Sequence, residues 1–86
     1  MSATPLLTAR ALILASGPTS PNAHQVIEKA LQDFIHEKGE SQRIDLGGRT
    51  ILAMEIKLDP AHAIAIADEL EVMGKRANLD IAMEIL

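Results

Sequence analysis

Gly17-Pro18-Thr19-Ser20-Pro21-Asn22 and, further along, Leu58-Asp59-Pro60 are the stretches that decide how this chain folds. Each places a capping side chain directly before a proline, Ser20 before Pro21 and Asp59 before Pro60, which is how a helix starts. These two starts divide the 86 residues into strand, helix, strand, strand, helix, strand. That order predicts an α+β, ferredoxin-like βαββαβ sandwich, one antiparallel sheet with two helices on one face. A chain this short is one domain.

Working outward from the first stretch, Arg10 to Ser16 holds a continuous apolar run, Ala11 to Ala15, and is bounded by Gly17-Pro18, the pattern of a central strand. Residues 1–9 read as a leader and 10–86 as the domain. Downstream, Ala23, Val26, Ile27, Ala30, Leu31, Phe34 and Ile35 recur at three- and four-residue steps. They predict an amphipathic helix running to Lys38-Gly39, where a cation and a glycine suit a helix end. Glu40 to Leu46 alternates, with Gln42, Ile44 and Leu46 on one side and Ser41, Arg43 and Asp45 on the other, as an edge strand would. Gly47-Gly48 signals a hairpin. Arg49 to Leu58 then returns with Thr50, Leu52, Met54, Ile56 and Leu58 inward.

From Asp59-Pro60 the same reading gives a second helix with a stripe of Ala63, Ile66, Ala67, Leu70, Met73, Gly74 and Ala77. Asn78 suits a left-handed turn, and Leu79, Ile81, Met83 and Ile85 alternate in a last strand. Right-handed crossovers give the strand order 4-1-3-2. The face away from the helices is expected to carry Ile13 or its neighbours, Ile51, Ala53 and Ala82. A small domain gains by covering such a face, so a homo-oligomer is expected.

Composition excludes several functions. A net charge of −4 argues against nucleic acid, which needs a basic patch. The absence of cysteine excludes disulfides, zinc–thiolate sites, cysteine nucleophiles and a metal chaperone, which would need cysteines after the first strand. No apolar run approaches the ~18 residues of a membrane span and no signal segment is visible, so no membrane partner and a cytoplasmic location are expected. Phe34 is the single aromatic, too few for base stacking on a sheet. His24, His36 and His62 are spread along the two predicted helices, and no metal site follows from them. No carboxylate pair, Ser-His-Asp set or glycine-rich phosphate loop is present, so no catalytic residues are expected.

The first loop leaves a central strand and enters a helix. It is a turn with an N-cap, or a place where free backbone amides and the helix dipole take an anion. Here a family resemblance enters. The order βαββαβ resembles the ACT domain, a small-molecule sensing module of amino-acid metabolism. The chain is most similar to the amino-terminal ACT module of bacterial phosphoserine phosphatases, whose first strand runs into Gly-x-Asp-x-Pro-Gly. Gly17 and Pro21 match that loop, while Thr19 and Asn22 stand where the family has Asp and Gly. Ile44-Asp45-Leu46-Gly47-Gly48-Arg49-Thr50-Ile51-Leu52 resembles the second and third strands, and Ala77-Asn78-Leu79-Asp80-Ile81-Ala82-Met83-Glu84 the fourth.

The resemblance implies an amino-acid ligand, L-serine above others, with its carboxylate at the first helix start. Gly17, Thr19, Ser20, Asn22 and Ala23 would form the site, completed across a dimer by Ile44 and Asp45. It implies a phosphoserine phosphatase as parent, whose haloacid-dehalogenase-like domain, carrying Asp-x-Asp and Mg2+, has no counterpart in these residues. No cofactor is expected in this chain. The alternatives are a ligand-free self-association module and a small acylphosphatase-like enzyme. The latter needs an arginine in a phosphate cradle, which Thr19-Ser20-Pro21 does not offer.

Overall fold

The computed structural model describes residues 6–19 and 22–86. The expectations for Ser20, Pro21 and residues 1–5 of the leader fall outside the described residues. The elements are β1 (Ala9–Pro18), α1 (Ala23–Leu31), β2 (His36–Leu46), β3 (Arg49–Leu58), a 3-10 turn (Pro60–His62) leading into α2 (Ala63–Arg76), and β4 (Asp80–Ile85). The sheet order β2-β3-β1-β4 is the predicted 4-1-3-2 read from the opposite edge, and all pairs are antiparallel. β1 begins at Ala9, the last position assigned to the leader.

The core is aliphatic. Ile13, Met54, Ile56 and Leu58 from the sheet close on Ile27 and Leu31 of α1 and on Ile66 and Leu70 of α2. A fully buried aliphatic side chain of this size contributes about 1.5–3 kcal/mol, so these residues dominate the energetics of so small a domain. Thr50 is the one buried polar residue among those described. The Asp59 carboxylate accepts from the Ala61 amide at 2.9 Å and caps the helical turn that Pro60 opens. Gly47 and Gly48 both have positive φ, 63° and 74°, as a tight hairpin requires.

α1 is shorter than its apolar spacing predicts. It ends at Leu31, where the Gln32 amide reaches the Lys29 carbonyl and the Phe34 amide the Leu31 carbonyl. Phe34 therefore lies in the connection, half-buried, with its ring tilted on His62 at 6.3 Å, and Ile35 is exposed. Lys38 and Gly39 do not stop a helix. They belong to β2, which starts at His36 rather than Glu40 and pairs with β3 from His36 to Lys38 and again from Ser41 to Leu46. Strand pairing overrides a helical preference that reaches past Leu31 only through Phe34 and Ile35.

β2 carries a bulge between Lys38 and Ser41 and has no buried residue. Beyond the bulge, Arg43 stands opposite Leu52 and Asp45 opposite Thr50, which puts them on the helix side. Ile44 and Leu46 fall on the open face with Ile51. Of Ile13 or its neighbours, it is the neighbours that lie on the open face; Ile13 itself does not, because it pairs with Met54 and is fully buried. Leu12 and Leu14 take the outward positions, as the two-residue period of a strand requires once Ile13 points inward.

Candidate functional site

Three strand ends meet where β1 finishes. Pro18 is opposite Arg49 at the start of β3, and Ser16 is opposite Asp80 at the start of β4. The end of α2 closes the same corner. Its last turn is satisfied by the Ala77 amide on the Gly74 carbonyl at 3.0 Å and the Leu79 amide on the same carbonyl at 2.8 Å. Asn78 takes a left-handed φ of 58°, which sends the chain back into β4. Lys75 and Arg76 sit in the last turn, where cations suit the dipole.

This corner holds an open cleft of about 460 Å³ whose lining includes Ser16, Gly17, Arg49, Lys75, Asn78 and Asp80. Both signs of charge, an amide and a hydroxyl face one space. Lys75 is paired with Glu71 at 3.1 Å. Arg49 and Asp80 are exposed and make no side-chain hydrogen bond or ion pair among the described residues. A second hollow of about 410 Å³ adjoins on the open sheet face, lined by Leu14, Ile51 and Ala82 and sharing Ser16 and Asp80 with the first.

The residues singled out from the sequence are dispersed around this corner. Gly17 lines the charged cleft, but a Cβ there would lie 2.8 Å from the Asn78 carbonyl oxygen, so its first role is to admit the α2–β4 turn. The Thr19 amide donates to the Gly48 carbonyl at 2.9 Å. Ser20 falls outside the described residues. Asn22 precedes α1 without a side-chain cap bond and lines a different groove, of about 360 Å³, between α1 and α2. Ala23 is fully buried.

Asp45 shares a row with Thr50 and Gly17 across β2, β3 and β1, about 10 Å from Gly17 by strand spacing. Its carboxylate accepts from Arg43 Nε at 3.0 Å and from the Thr50 hydroxyl at 2.7 Å. Those two partners hold its pKa below the usual carboxylate range, Arg43 first. Ile44 is half-exposed on the opposite face of the same strand.

The histidines stand apart. His24 is paired with Glu28, His36 Nδ1 lies 2.8 Å from the Phe34 carbonyl, and His62 lies on the Phe34 ring. Among the described residues, no three or more of the metal-binding residue types group to hold an ion, and no helix is long and apolar enough to cross a membrane. Sequence reasoning passed over Arg49, Lys75 and Asp80. The strand order held the signal, since the residue after Gly47-Gly48 and the first residue of β4 must both flank the end of β1.

No protein-family model matches the chain, and no curated protein matches its sequence. Solved structures match its fold. It is similar to an ACT domain protein from Streptococcus pneumoniae, with a TM-score of 0.78 and 13% identity over 90% of this chain and 89% of that one. The ACT domain from the GTP pyrophosphokinase of Chlorobium tepidum gives 0.64 and 16% identity over 92% of this chain and all of that one. The regulatory subunit of aspartate kinase from Thermus thermophilus gives 0.68 and 17% identity over 88% of this chain and 50% of that one. Several other matching chains are spanned over less than half of their length, between 28% and 46%. At these identities the likeness is one of fold, and the fold is that of ACT domains.

Proposed function

We propose that this chain is a regulatory module that senses an α-amino acid at the end of β1. The observation that carries this is the cleft itself. On an ACT-type fold, one corner presents a free guanidinium, a free carboxylate, an amide and a hydroxyl to a space large enough for an amino acid. An amino-acid ligand carries one group of each charge, and a site with unpaired charges of both signs complements it. The ligand would tie together the ends of β1, β3 and β4 and the last turn of α2. L-serine as the ligand, and a phosphoserine phosphatase as the parent, rest on the resemblance of the loop, hairpin and last-strand residues alone. The aspartate kinase subunit is regulatory by its own description, and the same role is proposed here by analogy of fold.

A second reading has its own observation. Leu14, Ile44, Leu46 and Ile51 are exposed together on the open sheet face, as on a surface built to meet another copy of the chain. A ligand-free association module would need nothing more.

The experiment is a thermal-shift and calorimetry screen of the twenty amino acids on the full chain. Saturation at about 100 times the dissociation constant adds roughly 2.7 kcal/mol to stability. A response to at least one amino acid is expected. If none shifts the melt or releases heat, the sensing reading falls and the association module takes its place.

A further inference from the structure

The charged cleft and the apolar hollow are one groove. They share Ser16 and Asp80, and the hollow continues along the open face over Leu14, Ile51 and Ala82. A ligand whose head lies in the charged corner has its side chain directed onto an apolar floor, or out into water. The floor is built by alternation. Ser16 is flanked by Ile51 on one side and Asp80 on the other, and Leu14 by Ala53 and Ala82. Arg49 and Asp80 sit on the two strands beside β1. Two strand spacings across and two residues along put their Cα atoms about 12 Å apart. An amino-acid head held at both ends spans about 9 Å from guanidinium nitrogen to carboxylate oxygen, two hydrogen bonds near 2.9 Å plus its own charge separation near 3 Å. The long arginine side chain closes the difference.

We infer that this groove takes an L-α-amino acid with an apolar side chain. Its carboxylate lies on the Arg49 guanidinium, its ammonium on Asp80, and its side chain against Leu14, Ile51 and Ala82. The inference rests on the amino-acid reading above and sharpens it. Serine fills only the head of the site and leaves the floor wet, whereas leucine covers it. Three additional half-covered carbons favour leucine by about tenfold.

Calorimetric titrations of the full chain with L-leucine, L-isoleucine and L-serine test this, together with leucinamide, which lacks the carboxylate, and 4-methylpentanoate, which lacks the ammonium. Leucine or isoleucine should bind about tenfold tighter than serine. Leucinamide and 4-methylpentanoate should each bind at least tenfold more weakly than leucine. Arg49→Gln and Asp80→Asn, both exposed, should keep the melting temperature and lose leucine binding by tenfold or more. Amide shifts on leucine addition should centre on Ser16, Ile51 and Ala82. If an amino acid binds but serine equals leucine, the apolar floor plays no part and the sensing reading at the charged corner survives. If either variant binds like wild type, or the shifts centre on Asn22 and Ala23, the ligand lies elsewhere and both the groove and the β1 corner fall as its site. If no amino acid binds, the groove and the sensing reading both fall.

Discussion

Gly17→Ala separates two reasons for a glycine at the end of β1. If Gly17 exists to give a ligand room, the free protein should tolerate a methyl group there, and even gain about 0.4–1 kcal/mol from a stiffer unfolded chain. The structure says otherwise. A Cβ at this position would lie 2.8 Å from the Asn78 carbonyl oxygen and 2.9 Å from Leu79 Cδ2. The leucine methyl can swing away. The carbonyl is backbone, at the left-handed residue that starts the return into β4, and can move only if that turn opens. Overpacking of this kind costs about 1–3 kcal/mol. Set against the entropy gain, Gly17→Ala should lose about 1–2 kcal/mol without any ligand. For a domain of this size each kcal/mol lowers the melting temperature by about 4–8 °C. Urea unfolding and calorimetric melting of ligand-free protein give the answer. A midpoint equal to or above wild type would refute the packing argument and return Gly17 to the role of making room for a ligand.

Leu31 and Phe34 should part company. Leu31→Ala empties a fully buried site on α1 and should cost about 2–5 kcal/mol, whereas Phe34→Ala, half-buried in the connection, should cost about half the 3–5 kcal/mol of a core phenylalanine; equal losses by denaturant titration would restore Phe34 to the helix. Asp45, held below the usual range by Arg43 and Thr50, contributes stability that is fully present above its unfolded value near 3.9 and is lost as pH falls through its lower folded value. NMR titration should place its midpoint below 3.9, Arg43→Gln should raise it, and an unchanged midpoint in that variant would dismiss the pairing. Ile44 and Leu46, exposed on the open face outside the groove, predict a dimer or larger assembly at about 100 μM through the β2 side of the sheet; light scattering that reports a monomer would count against it. Asp59→Ala should cost about 1 kcal/mol through the lost cap on the Ala61 amide, read from the shift in urea midpoint.

The parts legible in the sequence were those where pattern and punctuation agree. Asp59-Pro60 announced α2, Gly47-Gly48 announced the hairpin, and the alternation in β3 sorted Leu52 and Met54 inward from Ile51 and Ala53 outward. The end of α1 was not legible, since nothing local interrupts the helical spacing between Leu31 and Gly39. Only pairing with β3 does so, and that is a tertiary fact. The facing of Ile13 had only a marker at the ends of the run, where Arg10 and Ser16 share the even positions with Leu12 and Leu14 and leave Ile13 on the other side. Its register with Met54 supplied the answer. The charged corner was missed for a related reason. Arg49 and Asp80 are far apart in sequence and read singly as hairpin and strand-edge charges. They become neighbours of one hollow only when β3 and β4 flank β1 on opposite sides.

That flanking also sets an order of events during synthesis. Of these four strands β1 is made first, yet one of its two partners, β4, follows the other three, some sixty residues later. At about 5–20 residues per second the gap lasts roughly 3–12 s. Until then β1 can pair on one side only, and Ala11, Ile13 and Ala15 lack the cover that Ile81 and the end of α2 provide. The nascent chain therefore presents an apolar strand with a bare hydrogen-bonding edge for seconds. A stalled chain ending before Asp80 should be protease-sensitive throughout β1, and become protected once β4 has emerged.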